Sequence, residues 1–339
     1  MADLSTEPGT AAPAERRQGI PATRLLAIGL FVAALAFGLL AWMSDAEFYL
    51  RLATEALIFG GLALSVDLLL GRTGMLTLGQ ALYFGIGAYV STLVLKDVAP
   101  SFWLAAFAAS GVSAVAGLIG GLVAVRSRGV YFALITFGLA QAVAKSVYNT
   151  RALGASDGII GIPIIKIDLL VYSFGADEPL AFYLFTLAAF ALVCAAIAYV
   201  VDLPHGRVLA AIKANETRVR FLGYDTFRYK LAVYVMAAAV AGFSGALYPM
   251  LRGFVSPELM AFQTSAWAII AVIIGGMGTL VGALFGSFLL TMLRSVLSSY
   301  TEHHHIIVGV FFVIVVIAFP KGILGMVTQW MKRPRREDR

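Results

Sequence analysis

Ten long apolar runs, separated by short polar stretches, restrict this chain more than any other feature. They occupy 25–43, 48–70, 74–95, 102–125, 129–148, 180–201, 230–251, 263–276, 279–298 and 305–319. A helix needs about 20 residues to cross a hydrocarbon core. Most of the runs reach that length, and the eighth and tenth are short for a full span. Backbone polar groups in lipid must be satisfied within the chain, which makes each run a helix. Only 13% of residues are charged, against about a quarter in a soluble domain. The expectation is a polytopic membrane protein. The lone cysteine, Cys194, lies in an apolar run, so no intrachain disulfide can form and no redox role is indicated.

Lysine and arginine set the orientation, because cytoplasmic segments hold the excess. Ten alternating spans with the N-terminus inside put 18 basic residues inside and 5 outside. Both termini are then cytoplasmic. The net charge of +6 reports this asymmetry and not a nucleic-acid partner. Residues 1–23 read as a disordered cytoplasmic tail and fit a cleaved signal peptide poorly. Residues 24–326 read as the transmembrane domain, with a main outside loop at 149–179 and a polar inside loop at 202–230. Residues 327–339 read as a basic cytoplasmic tail.

The third run is interrupted by Gly74, Gly79, Gly85 and Gly87. Irregular backbone survives at membrane depth only when buried in protein or lining a wet cavity, so this run is expected to be a discontinuous helix. Thr77, Gln80, Tyr83, Gly85, Gly87 and Tyr89 are candidates for lining a solute pathway, with Tyr131 and Thr136 in the fifth run. Alternatively, such groups bond to neighbouring helix backbones.

The inside loop is patterned differently. Pro204 opens it, and Val208, Ile212, Val219 and Leu222 fall on one helical face. Glu216 and Arg220 form an i,i+4 pair, and Gly223 stands where a left-handed cap ends a helix. Pattern alone leaves two readings: a helix resting on the inner leaflet, or a docking helix for a cytoplasmic motor protein. Gly275, Gly276, Gly278, Gly282 and Gly286 form another motif. It follows no soluble strand, so it is not a nucleotide fingerprint. Gly278, Gly282 and Gly286 are expected to form a small-residue ridge for close helix packing.

Two carboxylates lie within spans. Glu55 is expected to pair with Arg51 and Asp67 with Arg72, and proton coupling through Glu55 is the competing reading. His303, His304 and His305 fit an interfacial turn better than a metal site, since adjacent residues rarely converge on one ion. No phosphate-binding loop and no catalytic motif occurs in the chain.

Several segments together resemble permease subunits of branched-chain amino acid ABC transporters of the LivM type. They are GRTGMLTLGQALYFGIGAYV (71–90), RGVYFALITFGLAQ (128–141), LGASDGIIGIP (153–163), GRVLAAIKANETRVRFLG (206–223), IIGGMGTLVGALFGS (273–287) and FPKGILGM (319–326). The resemblance implies an all-α fold of about ten transmembrane helices with a cytoplasmic coupling helix. Gly206, Arg207, Val208, Ile212, Asn215, Glu216, Val219, Leu222 and Gly223 would then form the ATPase-coupling element. It also implies a second homologous permease subunit, two cytoplasmic ATPase subunits and an extracytoplasmic solute-binding protein in a bacterial inner membrane. ATP and magnesium would be held by the partners, with no cofactor or metal on this chain. Leucine, isoleucine and valine are the implied solutes, and urea, short amides or aromatic acids are alternatives. An ion-coupled secondary carrier and a membrane scaffold are the readings from other classes.

Overall fold

The computed structural model describes residues 22–162, 167–169, 172–300, 304–319 and 322–332. Among these, helices α1 (Ala22–Met43), α2 (Glu47–Thr73), α3 (Gln80–Leu93), α4 (Phe102–Ala124), α5 (Val130–Asn149) and α6 (Pro179–Asp202) precede the polar helix α7 (Pro204–Phe221). Helices α8 (Thr226–Arg252), α9 (Phe262–Gly275), α10 (Val281–Tyr300), α11 (His304–Ala318) and α12 (Ile323–Lys332) come after it. Eight are long and apolar enough to cross a membrane, and α9 and α11 are the two short apolar helices. The chain is thus an all-α, multi-pass membrane protein.

Helix α2 is the axis of the bundle, packing on α6, α8, α9 and α10, and most of its residues are buried. Its hydroxyls satisfy themselves locally. Thr54 donates to the Leu50 carbonyl at 2.8 Å and Thr73 to that of Leu69 at 2.6 Å. Helix α8 is the second central element, against α2, α3 and α4. Helices α1, α4, α5 and α6 expose apolar side chains such as Phe107, Ile119, Val123 and Leu192 outward. An exposed apolar face costs little where hydrocarbon replaces water.

The third run is broken at 74–79, where the chain is not helical. Side chains from other helices take up the backbone groups freed there, as burial in a membrane requires. The Leu78 N–H donates to Thr136 Oγ1 at 3.2 Å, and the Ala81 N–H to Ser265 Oγ at 3.0 Å. Gly79 presses so close to Thr136 that a Cβ would lie 2.1 Å from its carbonyl oxygen. Gly85 and Gly87 do not break the helix. They lie inside α3 and make room for the Met260 side chain and the Gly242 backbone.

At one end of the bundle, strand β1 (Ile159–Ile160) pairs antiparallel with β4 (Phe254–Val255), and β2 (Ile167–Leu169) pairs with β3 (Tyr172–Phe174). The first pair joins the 149–179 loop to the segment after α8. At the other end lie α7, the α2–α3 connection, the α9–α10 turn and the start of α12. Helix α12 runs across position 326, after which the basic tail was expected to begin. Residues 1–21 and 333–339 lie outside the described residues, as do Pro163 and His303, whereas His304 and His305 begin α11 and do not form the expected turn.

Candidate functional site: a clamped polar helix and a charged cavity

Helix α7 is not one continuous helix. Asn215 has extended backbone (φ −162°, ψ 98°), and its side-chain oxygen accepts from the Arg218 N–H at 3.0 Å. Asn215 thereby caps a second, short helical piece. The break rotates residues 216–221 relative to the first piece, and the expected single apolar stripe does not survive it. Ile212 and Val219 are buried against this chain's own spans and Val208 is half-buried, but Leu222 is 74% exposed. Leu209, absent from the expected stripe, is buried instead. Phe221, Leu222 and Tyr224 form an exposed apolar tip, with Arg207, Arg218, Arg220 and Arg228 also exposed. Gly223 ends the element at φ +87°. The Tyr224 N–H then reaches the Val219 carbonyl at 3.3 Å, a C-cap closure. Gly206 allows the tight α6–α7 corner, where a Cβ would lie 1.8 Å from the Val201 carbonyl oxygen.

Two contacts fasten α7 to the central helices. Lys213 Nζ donates to the Gly71 carbonyl at 2.7 Å, near the C-terminal end of α2. Glu216 is the hub of the second. Lys230 of α8 reaches its Oε1 at 3.1 Å, Arg220 the same atom at 2.9 Å and Arg128 its Oε2 at 3.3 Å. Thr226 also donates to it at 3.1 Å. The Lys230 side chain is only 5% exposed. Partial burial acts to raise the Glu216 pKa, but the Lys230 bond and charge, with Thr226 and Arg128, outweigh it and hold the carboxyl below its ordinary value.

Asp67 is fully buried and does not form the expected bridge to Arg72. It accepts from the backbone N–H groups of Gly278 and, at 2.9 Å, Leu280. It therefore anchors the α9–α10 turn to α2. In that turn Gly276 and Gly278 adopt φ of +113° and +81°. Gly278 is therefore not part of a helical ridge. The close α9–α10 seam is made by Gly275, Gly282 and Gly286. A Cβ on Gly275 would lie 1.8 Å from the Gly282 carbonyl oxygen, and one on Gly286 2.0 Å from that of Ala271.

Of the residues singled out on the third run, Thr77, Gln80, Tyr83, Gly85, Gly87 and Tyr89 are all buried. Tyr83 shares a hydrogen bond with Tyr234 at 3.0 Å, whereas the Gln80 amide and the Tyr89 hydroxyl have no partner among the described residues. Thr136 supports the break, and Tyr131 is 75% exposed.

Glu55 pairs with Arg252 at the end of α8, not with Arg51. Arg51 is exposed near the start of α2, while the packing of α8 along α2 brings Arg252 beside Glu55. The pair lies in a cavity of about 530 Å³ between α2, α8, α9 and α10, which Arg294 and Trp267 also line. Neither Arg252 nor Arg294 stood out in the sequence as a site residue. The available signal was a lone arginine inside an apolar run.

The family model for branched-chain amino acid transport system permease components matches residues 48–319. The high-affinity branched-chain amino acid transport system permease protein LivM of Salmonella typhimurium is 31% identical over 301 residues, 83% of this chain and 71% of that protein. LivM of Escherichia coli is 30% identical with the same coverage. LivH of Salmonella typhimurium is 22% identical over 291 residues, 80% of this chain and 92% of that protein. No solved structure matches. The chain belongs to the family of branched-chain amino acid transport system permease components, of the LivM type.

Proposed function

We propose that this chain is the membrane-spanning permease subunit of an ATP-driven importer of leucine, isoleucine and valine in a bacterial inner membrane. Its partners are a related permease, two cytoplasmic ATPase subunits that bind ATP and magnesium, and an extracytoplasmic binding protein. The 18-to-5 distribution of basic residues supports an α7 end that faces inside.

The observation that carries the reading is the double fastening of α7. A helix merely resting on lipid needs no link to the bundle axis. Here Lys213 grips the end of α2 and Glu216 grips Lys230 near the start of α8. Both helices have 27 residues, a length of about 40 Å at ~1.5 Å per residue. They meet again at the far end through Glu55 and Arg252. A displacement of α7 by nucleotide-driven closure of the ATPases would travel as rigid-body motion of α2 and α8. The exposed tip at Phe221, Leu222 and Tyr224 is the part left to enter the motor subunit. The β1–β4 pair brings the 149–179 loop and segment 252–262 together as one landing face for the binding protein. Gln80 and Tyr89, buried on α3 without partners among the described residues, are the α3 groups a passing solute would meet. An ion-coupled carrier is disfavoured, because Glu55 is ion-paired and Asp67 is held by backbone N–H groups.

The test is Leu222→Asp in the assembled transporter. The side chain is exposed, so the fold is expected to persist, while substrate-stimulated ATP hydrolysis and uptake fall at least tenfold. Unchanged uptake would refute the docking role of the α7 tip.

A further inference from the structure

The charged cavity has the chemistry of a transit site. Helix α10 is apolar overall, yet Ser287, Thr291, Arg294, Ser295 and Ser298 recur at helical spacing and all line this one cavity. A polar stripe with a charge on a spanning helix marks a wet cavity, not a lipid face. Glu55 lies eight residues inside the start of α2 and Arg294 six residues inside the end of α10. Both are therefore about 10 Å deep at ~1.5 Å per residue. The size falls within the roughly 300–1,000 Å³ of small-molecule sites.

Its charges are unequal. Arg252 bonds Oε2 of Glu55, which leaves Oε1 for a second donor. The Arg294 guanidinium lies 5.7 Å from the centre of the Trp267 ring and has no carboxylate partner among the described residues. The cavity thus offers one acceptor for an ammonium group and one unpaired fork for a carboxylate, which arginine binds bidentately. Phe59, Tyr248, Phe254 and Leu290 supply apolar wall.

We infer that this cavity binds a zwitterionic amino acid with an apolar side chain in transit. Arg294 takes the carboxylate, Glu55 the ammonium and the aromatic wall the side chain. The inference rests on the import reading and locates the solute on this chain. It also distinguishes among solutes, because urea and amides carry no charge for either group and aromatic acids lack the ammonium.

The experiment uses the full transporter in proteoliposomes, with Cys194→Ala and Ser298→Cys in this chain. The rate at which a charged thiol reagent labels position 298 is measured with leucine, urea or benzoate. Leucine is expected to slow labelling at least fivefold, and urea and benzoate less than twofold. Protection should vanish in Arg294→Gln. It should also vanish in the swapped pair Glu55→Arg with Arg252→Glu, which keeps the ion pair and hence the fold but moves the carboxylate. Unaltered labelling with leucine, or protection that survives both changes, overturns the site. ATP-driven leucine uptake by the unaltered transporter is read in parallel. Its presence without protection refutes the site alone, and its absence refutes the import reading.

Discussion

Replacing Glu216 by Gln tests the α7 clamp directly. The Lys230 side chain is 5% exposed, and Glu216, its side chain 16% exposed, is the carboxylate paired with it. Removing one member of a buried pair strands the other charge, at about 3–5 kcal/mol. The hub is partly open, since Arg128 and Arg220 are half-exposed, so the low end, about 3 kcal/mol, is expected. For a chain of this length each kcal/mol moves the melting temperature by about 2 °C, giving a fall of about 6 °C. Lys230→Met should cost less, about 1 kcal/mol, because Glu216 keeps two exposed partners worth up to about 1 kcal/mol each. The double variant has no stranded charge and should lose at least about 1 kcal/mol less than the two singles combined. Cys194 is the only cysteine and is buried. A thiol-reactive fluorophore on the detergent-solubilised protein therefore reports the melt. A Glu216→Gln melt within about 1 °C of the parent, or a double variant equal to the sum of the singles, would refute the clamp.

Four further outcomes rest on the fold. Asp67→Asn places an amide donor against a backbone N–H of the α9–α10 turn. The same melt should fall by about 2–6 °C, from about 1–3 kcal/mol for an unsatisfied buried group. Gly275→Val forces a side chain onto the Gly282 backbone and should sharply reduce folded yield in size-exclusion chromatography. Gly309→Ala in α11 meets no atom within 4 Å and should leave the yield unchanged. For pH, Glu216 is held below its ordinary value. Its contribution is full above the unfolded carboxylate pKa of about 4.3 and is lost as pH falls through the lower folded value. The melting difference between Glu216→Gln and the parent should therefore stay flat from about pH 5 to 8 and shrink only in more acidic solution.

Local features were readable because each depends on a few neighbouring residues. Apolar runs of spanning length became helices. Gly223 took the left-handed backbone of a cap, and the glycine-rich third run broke at 74–79. Spacing assumes a continuous helix, so it extends the α7 stripe past Asn215, where the real helix stops and restarts. The asparagine that caps the second piece was visible, but the break it serves was not. Gly85 and Gly87 looked like breaks because a glycine that loosens a helix and one that admits a neighbour are identical in sequence.

Short-range patterns in the residues alone establish that this chain crosses a membrane many times, which side carries the basic charge, and that a polar helix interrupts the spans. Hydrocarbon length, backbone satisfaction and charge asymmetry act on short stretches and leave their pattern there. The partners of the two carboxylates within spans came from the fold. Glu55 meets Arg252 across 197 positions and Asp67 reaches Gly278 across 211. A charge within a span takes whichever partner helix packing brings within reach, and packing depends on side chains far apart in the chain.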